Sequence, residues 1–247
     1  MSDFLQFVQS TIKASVHRAL VLAAHPDDEV VGLGGQLSKL EDVYVVHATD
    51  GAPRNMIDAI AYGFSTREAY AAARRLELEK ALQLCGIAPS QLIRLDIVDQ
   101  EASFKLFELS NRLADILRDL QQEVIFCPAY EGGHPDHDAI SFAAHVSRYI
   151  LRRGERPVPV LFEYALYHAA GDGMATFKFL DGDNMAPVIF ELSQEECNLK
   201  RRMMNFFQTQ RQVIEAFPVG VEALRIAPAY DFTIPPHPGR LHYEKFD

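Results

Sequence analysis

LVLAAHPDDEVVGLGG, residues 20–35, decides how the rest of the chain is read. An apolar run of strand length empties into His25-Pro26-Asp27-Asp28-Glu29 and then into Gly32, Gly34 and Gly35. Charges packed at the exit of a buried strand cost much desolvation energy unless a cation or a substrate compensates them. A second cluster of the same kind follows the apolar run Val124–Phe126. There Cys127-Pro128-Ala129-Tyr130-Glu131-Gly132-Gly133 leads into His134-Pro135-Asp136-His137-Asp138. Two His-Pro-Asp clusters, each at a strand exit, point to one divided metal site.

Outward from the first cluster, strand-like runs alternate with amphipathic stretches. The pattern predicts strands at Ala19–Ala24, Val43–Ala48, Leu92–Leu95, Val124–Cys127 and Val158–Tyr164. Helices are expected near Val30–Leu40, within Thr66–Cys85, around Phe104–Leu120 and around Asp136–Arg152. In the second of these Ala72, Leu76 and the Ala81-Leu82 region form the inward repeat and Glu68, Arg75 and Glu79 the outward one. Gly86 and Pro89 end it. This alternation implies an α/β chain, Rossmann-like, with three layers: a mostly parallel sheet and helices on both faces. Gly171–Pro187 reads as turns or a hairpin, and Ser193-Gln194-Glu195-Glu196 as a capping box opening a helix to about Glu215. The tail, with Pro218, Pro228, Pro235, Pro236 and Pro238, is expected to wrap the surface and roof the site.

In a doubly wound sheet ligands bind at the carboxyl ends of strands, where the strand order reverses. If the first and fourth strands flank that point, the exits carrying His25 and His134 become neighbours. His25 and Asp28 are three residues apart, as are His134 and His137, and each intervening proline suits a first helical turn. A His-Asp-His set gives a divalent cation three protein ligands and leaves a position for water, as in catalytic zinc sites. Taken singly, either cluster would be read as a helix cap. Gly32-Leu33-Gly34-Gly35 is not a dinucleotide loop, because it lacks G-x-G-x-x-G and follows three acidic residues.

Composition bounds the rest. The 247 residues carry a net charge of −10 with 48% hydrophobic and 23% charged residues, which suits a soluble globular protein and argues against nucleic acid as partner. Cys85, Cys127 and Cys197 form neither a disulfide framework nor a thiolate metal motif. MSDFLQFVQSTIK is unlike a signal peptide, and no window has the length of a membrane span. A cytoplasmic protein is expected, acting on a small molecule, with homo-oligomer formation left open.

The pair AHPDDEVVGLGG and GGHPDHDA resembles the PIG-L/LmbE-like family of metal-dependent N-acetylglucosaminide deacetylases along roughly the first two-thirds of the chain. The resemblance implies a single LmbE-like domain over residues 1–247, with an α/β core at about 18–165 and an extension at 166–247 packed on it. It implies a zinc ion, with Fe2+ or another divalent cation as substitutes, and hydrolysis of an acetamide on an amino sugar. Carried over, His25, Asp28 and His137 are the ligands and Asp27 the general base. His134 would stabilise the oxyanion or protonate the amine, with Asp136 holding its imidazole. Arg74, with Glu77 as its partner, and Asp99 resemble substrate-binding positions. Ala52 stands where the family has a glutamate. The alternatives are a metal-dependent amidohydrolase on another N-acylated small molecule, and a sugar- or metal-binding module without turnover.

Overall fold

The computed structural model describes residues 18–180 and 186–245. The elements run in the order β1 (Ala19–Ala23), α1 (Asp28–Leu33), β2 (Val43–Thr49), α2 (Ile57–Ala61), α3 (Arg67–Gln83), β3 (Leu92–Ile97), α4 (Leu106–Leu120), β4 (Val124–Pro128), α5 (Pro135–Arg153) and β5 (Val160–Tyr164). There follow β6 (Tyr167–Ala170), β7 (Gly173–Thr176), β8 (Val188–Glu191), α6 (Gln194–Met204), α7 (Arg211–Ile214) and β9 (Val221–Ile226).

β1 and β4 are buried along their whole length, which is why they read as unbroken apolar runs rather than alternating ones. On β1, Ala19 and Val21 join one core with α1, α3 and the C-terminal elements. Leu20 and Leu22 join a second core with α4 and α5. The seven-stranded sheet has the order β3-β2-β1-β4-β5-β9-β8. β1 pairs in parallel with β2 on one side and β4 on the other, so the chain's order reverses between β1 and β4. The α/β class and the neighbouring exits expected from the sequence are present. β9 runs antiparallel between β5 and β8.

Several boundaries differ from the expected ones, each for a visible reason. The helix expected at Val30–Leu40 stops at Leu33 and resumes only as a 3-10 turn at Leu37–Lys39. Gly32 allows α1 to press on β5, for a Cβ there would come 2.7 Å from Tyr164 Cε2. α3 is capped by the Thr66 side chain, which accepts from the Ala69 amide, but it buries Tyr70, Arg74, Leu78, Ala81 and Leu82. Leu76 is exposed, so the inward face is rotated from the one expected. The helix expected to run to Glu215 has its capping box at Ser193 and Glu196, yet α6 ends at Met204. The chain then turns so that the Thr209 amide and hydroxyl donate to Glu77 at 3.1 and 2.6 Å. Glu77 therefore serves Thr209, not Arg74. β8 and β9 fall where no strand is expected. Part of the hairpin stretch, residues 181–185, and the segment compared with a signal peptide lie outside the described residues. Residues 171–176 of the stretch form the turn and second strand of the β6–β7 hairpin.

Candidate metal centre

β1 delivers His25 to its carboxyl end, and the Asp28 carboxylate folds the turn beneath it: Oδ2 accepts the Ala24 and His25 amides at 3.0 and 2.7 Å. The other oxygen, Oδ1, lies 3.1 Å from His137 Nε2. His137 sits in the first turn of α5, which starts with Pro135 directly after the capping His134, as the spacing predicts. The donor atoms of His25, Asp28 and His137 all lie within 4.8 Å of one another, and all three residues are buried. A second group, His25, Asp99, His134 and Asp136, meets the same criterion and shares His25. His25 turns Nδ1 to Asp28 at 3.4 Å and Nε2 to Asp99 at 3.1 Å. His25 Nε2 and Asp99 Oδ1 are nevertheless both buried without a hydrogen bond.

The electrostatics fit a cation. Burial alone would lower the His25 pKa, but the Asp99 and Asp28 carboxylates outweigh it and hold it well above the ordinary value. Burial pushes the Asp28 carboxyl up, and His137 with His25 outweighs it, leaving Asp28 well below the usual range. Asp99 is likewise held low by His25 against its own burial. The carboxylates draw positive charge into a buried site, and a divalent cation held there would supply it. Imidazole and carboxylate donors suit zinc, iron and related divalent ions.

Asp27 is beside these residues but differently directed. Its Oδ2 accepts from Arg74 Nη2 at 2.8 Å. Burial raises its pKa to about 6, with Arg74 opposing. Arg74, read as facing substrate, is 3% exposed and spends its guanidinium on Asp27 and the Gly51 carbonyl. Asp99, also read as a substrate contact, is turned to His25. Asp136 does not hold the His134 ring through its carboxylate. That carboxylate accepts the Gln100 and Ala102 amides at 2.7 and 3.0 Å and lies 3.4 Å from His25 Nε2. It is the Asp136 amide that reaches His134, donating to Nδ1 at 3.1 Å. Burial, then the charges of His25 and His137, keep the His134 pKa well below its ordinary value. Ala52 is buried, and its carbonyl accepts from Arg67, which also pairs with Asp50.

Glu131, which with Tyr130 the sequence offers as a residue shaping the pocket, and Tyr167, which it does not single out, shape this end of the sheet. Glu131 is buried and takes the Leu166 and Tyr167 amides on one oxygen at 2.8 and 2.9 Å. This sets Tyr167 with its ring 5.5 Å from that of His137. Nothing in the spacing around Tyr167 marks it. The proline-rich tail lies against the loop before His134: Tyr130 donates to the Ile234 carbonyl, and the His242 amide to that of Gly132.

Fold and site together define an α/β protein with a buried His/Asp centre at a topological switch point. A profile of the PIG-L family, described as GlcNAc-PI de-N-acetylase, matches residues 20–147, and the chain belongs to that family. It is 34% identical over 146 residues to a probable N-acetyl-alpha-D-glucosaminyl L-malate deacetylase 2 of Bacillus subtilis, covering 56% of this chain and 63% of the relative. It is 32% identical over 146 residues to the diacetylchitobiose deacetylase of Thermococcus kodakarensis, covering 52% and 51%. The aligned region thus spans less than two thirds of either relative. In structure it is similar to the A40926 pseudoaglycone deacetylase Dbv21, with a TM-score of 0.67 and 18% identity over 88% of this chain and 99% of the other. That likeness shows a shared fold. Among the described residues no helix is long and apolar enough to cross a membrane.

Proposed function

We propose that the chain is a metal-dependent N-deacetylase, a hydrolase that removes the acetyl group from an N-acetylglucosamine-containing small molecule, with zinc as the resident ion. The observation that carries this reading is the convergence of His25, Asp28 and His137 beside a separate, buried Asp27 held by Arg74. A binding module has no need of that second carboxylate. The relatives' printed activities support the same class. Three free cysteines support a reducing, cytoplasmic setting.

His25, Asp28 and His137 would hold a divalent ion, which would supply Lewis acidity to the amide carbonyl and the attacking water. The Asp27 carboxylate accepts the proton of that water and returns it to the amide nitrogen as the C–N bond breaks. Arg74 fixes the carboxylate's direction. The Asp136 amide occupies His134 Nδ1, so the neutral ring carries its proton on Nε2. From there it donates to the carbonyl oxygen as negative charge develops. Asp99 and Asp136 bracket His25 Nε2 and hold the ring's other nitrogen toward Asp28.

Ala52, in place of the family's glutamate, favours one second reading, hydrolysis of another N-acylated small molecule. A panel of N-acetyl sugars and other acyl amides, assayed for acetate or other acid released with and without chelator, separates the two. Chelator-sensitive acetate release confined to the sugars supports the first reading, and absence of any acyl release overturns both.

A further inference from the structure

Between α3 and the β2–β3 edge of the sheet lies a cavity of about 330 Å³, at the small end of ligand sites. His47 and Thr49 of β2, Arg94 and Asp96 of β3 and Leu78 of α3 line it. The sheet is irregular at this place. His47 pairs with Arg94 but Thr49 with Ile97, so β3 uses one residue more than β2, and Asp96 takes up a φ of 51°.

His47 is 1% exposed, and its Nε2 lies 3.1 Å from Oε2 of the fully buried Glu29. A carboxylate only accepts, so that nitrogen carries the proton and the neutral ring leaves Nδ1 as an acceptor. Among the described residues Nδ1 is buried without a partner, a cost that the N–H or O–H of a ligand would remove. The charges in the wall answer one another: Arg67 pairs with Asp50, Arg75 with Glu79 at 2.9 Å and Arg94 with Asp96 at 3.8 Å. An ionic ligand would have to break one of these pairs. The flat faces of the guanidinium groups stay open to stacking on a ring, and Pro26, Ala71, Ala72 and Leu78 add apolar surface.

Among the described residues no donor of the metal centre lines this cavity. Its wall nevertheless supports that centre. The Thr49 hydroxyl donates to the Ala24 carbonyl at 2.8 Å, Asp50 Oδ1 accepts the Asp99 amide at 3.4 Å, and Pro26 stands between His25 and Asp27. We propose that the cavity is a second binding site, separate from the metal centre, for a small uncharged aromatic ring whose N–H or O–H donates to His47 Nδ1. The occupant bears on the supports of the centre without touching its donors. Neither this ligand nor its test depends on acetate release, so the site stands or falls apart from the deacetylase reading.

Indole and benzofuran have the same shape and differ in an N–H against an oxygen, so calorimetric titration of the full chain with each isolates the donor. Indole is expected to bind once per chain and benzofuran at least about 10-fold more weakly, the weight of one hydrogen bond to a buried acceptor. Ala71→Leu, at a half-buried position of α3, fills the cavity and should weaken indole at least about 10-fold at an unchanged thermal midpoint. If that variant melts lower, Ala72→Met, at an exposed position of the same wall, replaces it with the same expectation. Crystals soaked in indole should show its nitrogen about 2.7–3.2 Å from His47 Nδ1. No saturable binding of indole at millimolar concentration, equal affinities for the two rings, an affinity untouched by the cavity-filling variant, or indole bound elsewhere overturns the proposal.

Discussion

Asp27 and Asp28 are adjacent in sequence and opposite in circumstance. Asp28 is folded back onto two backbone amides and His137, which holds it ionised. The buried Asp27 carboxylate takes its side-chain hydrogen bond, among the described residues, from Arg74. Asp27→Asn is therefore expected to cut kcat by roughly 10² to 10⁴, the usual weight of a general base, while bound metal per chain is unchanged. Acetate release alongside metal analysis checks both halves. Arg74→Met leaves Asp27 as a buried, unpartnered carboxylate, and denaturant unfolding should show a loss of about 3–5 kcal/mol. A loss below about 1 kcal/mol would mean that the pair is solvated. At this scale the sequence was informative where function is local. His25, Asp28, His134 and His137 could be chosen because a three-residue spacing at a strand exit fixes them on one face. Arg74 and Asp99 could be picked out but not placed, since their partners sit on other elements.

At the scale of elements, apolar runs bounded by polar exits gave β1, β2, β4 and β5 close to their observed limits. The failures share a cause, which is that a partner distant in sequence overrides the local pattern. α1 stops early because the chain packs against Tyr164 and, past the helix, the Gly35 amide donates to the buried Glu222 at 2.8 Å. α3 turns Arg74 and Tyr70 inward because Asp27 and Thr209 await them. β8 and β9 are short runs beside prolines, and they become strands only by pairing with each other and with β5. Gly32→Ala tests the α1–β5 approach. The added methyl meets the fully buried Tyr164 ring, whose hydroxyl is tied to the Leu22 carbonyl at 2.8 Å and cannot swing away. Its denaturation midpoint should fall by the equivalent of about 1–3 kcal/mol, and an unchanged midpoint would show that the helix can shift.

Across the whole molecule, the tail that flanks the site also makes it sensitive to acid. His145 on α5 packs against the Tyr230 and Phe232 rings, and burial, with Arg148 adding to it, lowers its pKa to about 4. The folded state thus prefers the neutral ring, and between that value and the ordinary one near 6.5 the unfolded chain binds the extra proton. This contribution, about 2 kcal/mol after allowance for partial exposure, is complete above pH 7. It is lost as the pH falls through that window and changes no further below pH 4. His145→Gln should remove that part of the wild type's pH dependence in a series of urea midpoints, and parallel curves would refute it. Metal acts on the same equilibrium. Because the centre joins β1, α1 and α5, chelation should lower the melting temperature and added zinc restore it, by about 2.7 kcal/mol at a hundredfold excess over Kd.

Crystals grown with zinc and measured at the zinc absorption edge test the central claim most directly. The account predicts one anomalous peak per chain within bonding distance of His25, Asp28 and His137. A peak held instead by Asp99, His134 and Asp136, or no peak at this end of the sheet, would contradict it.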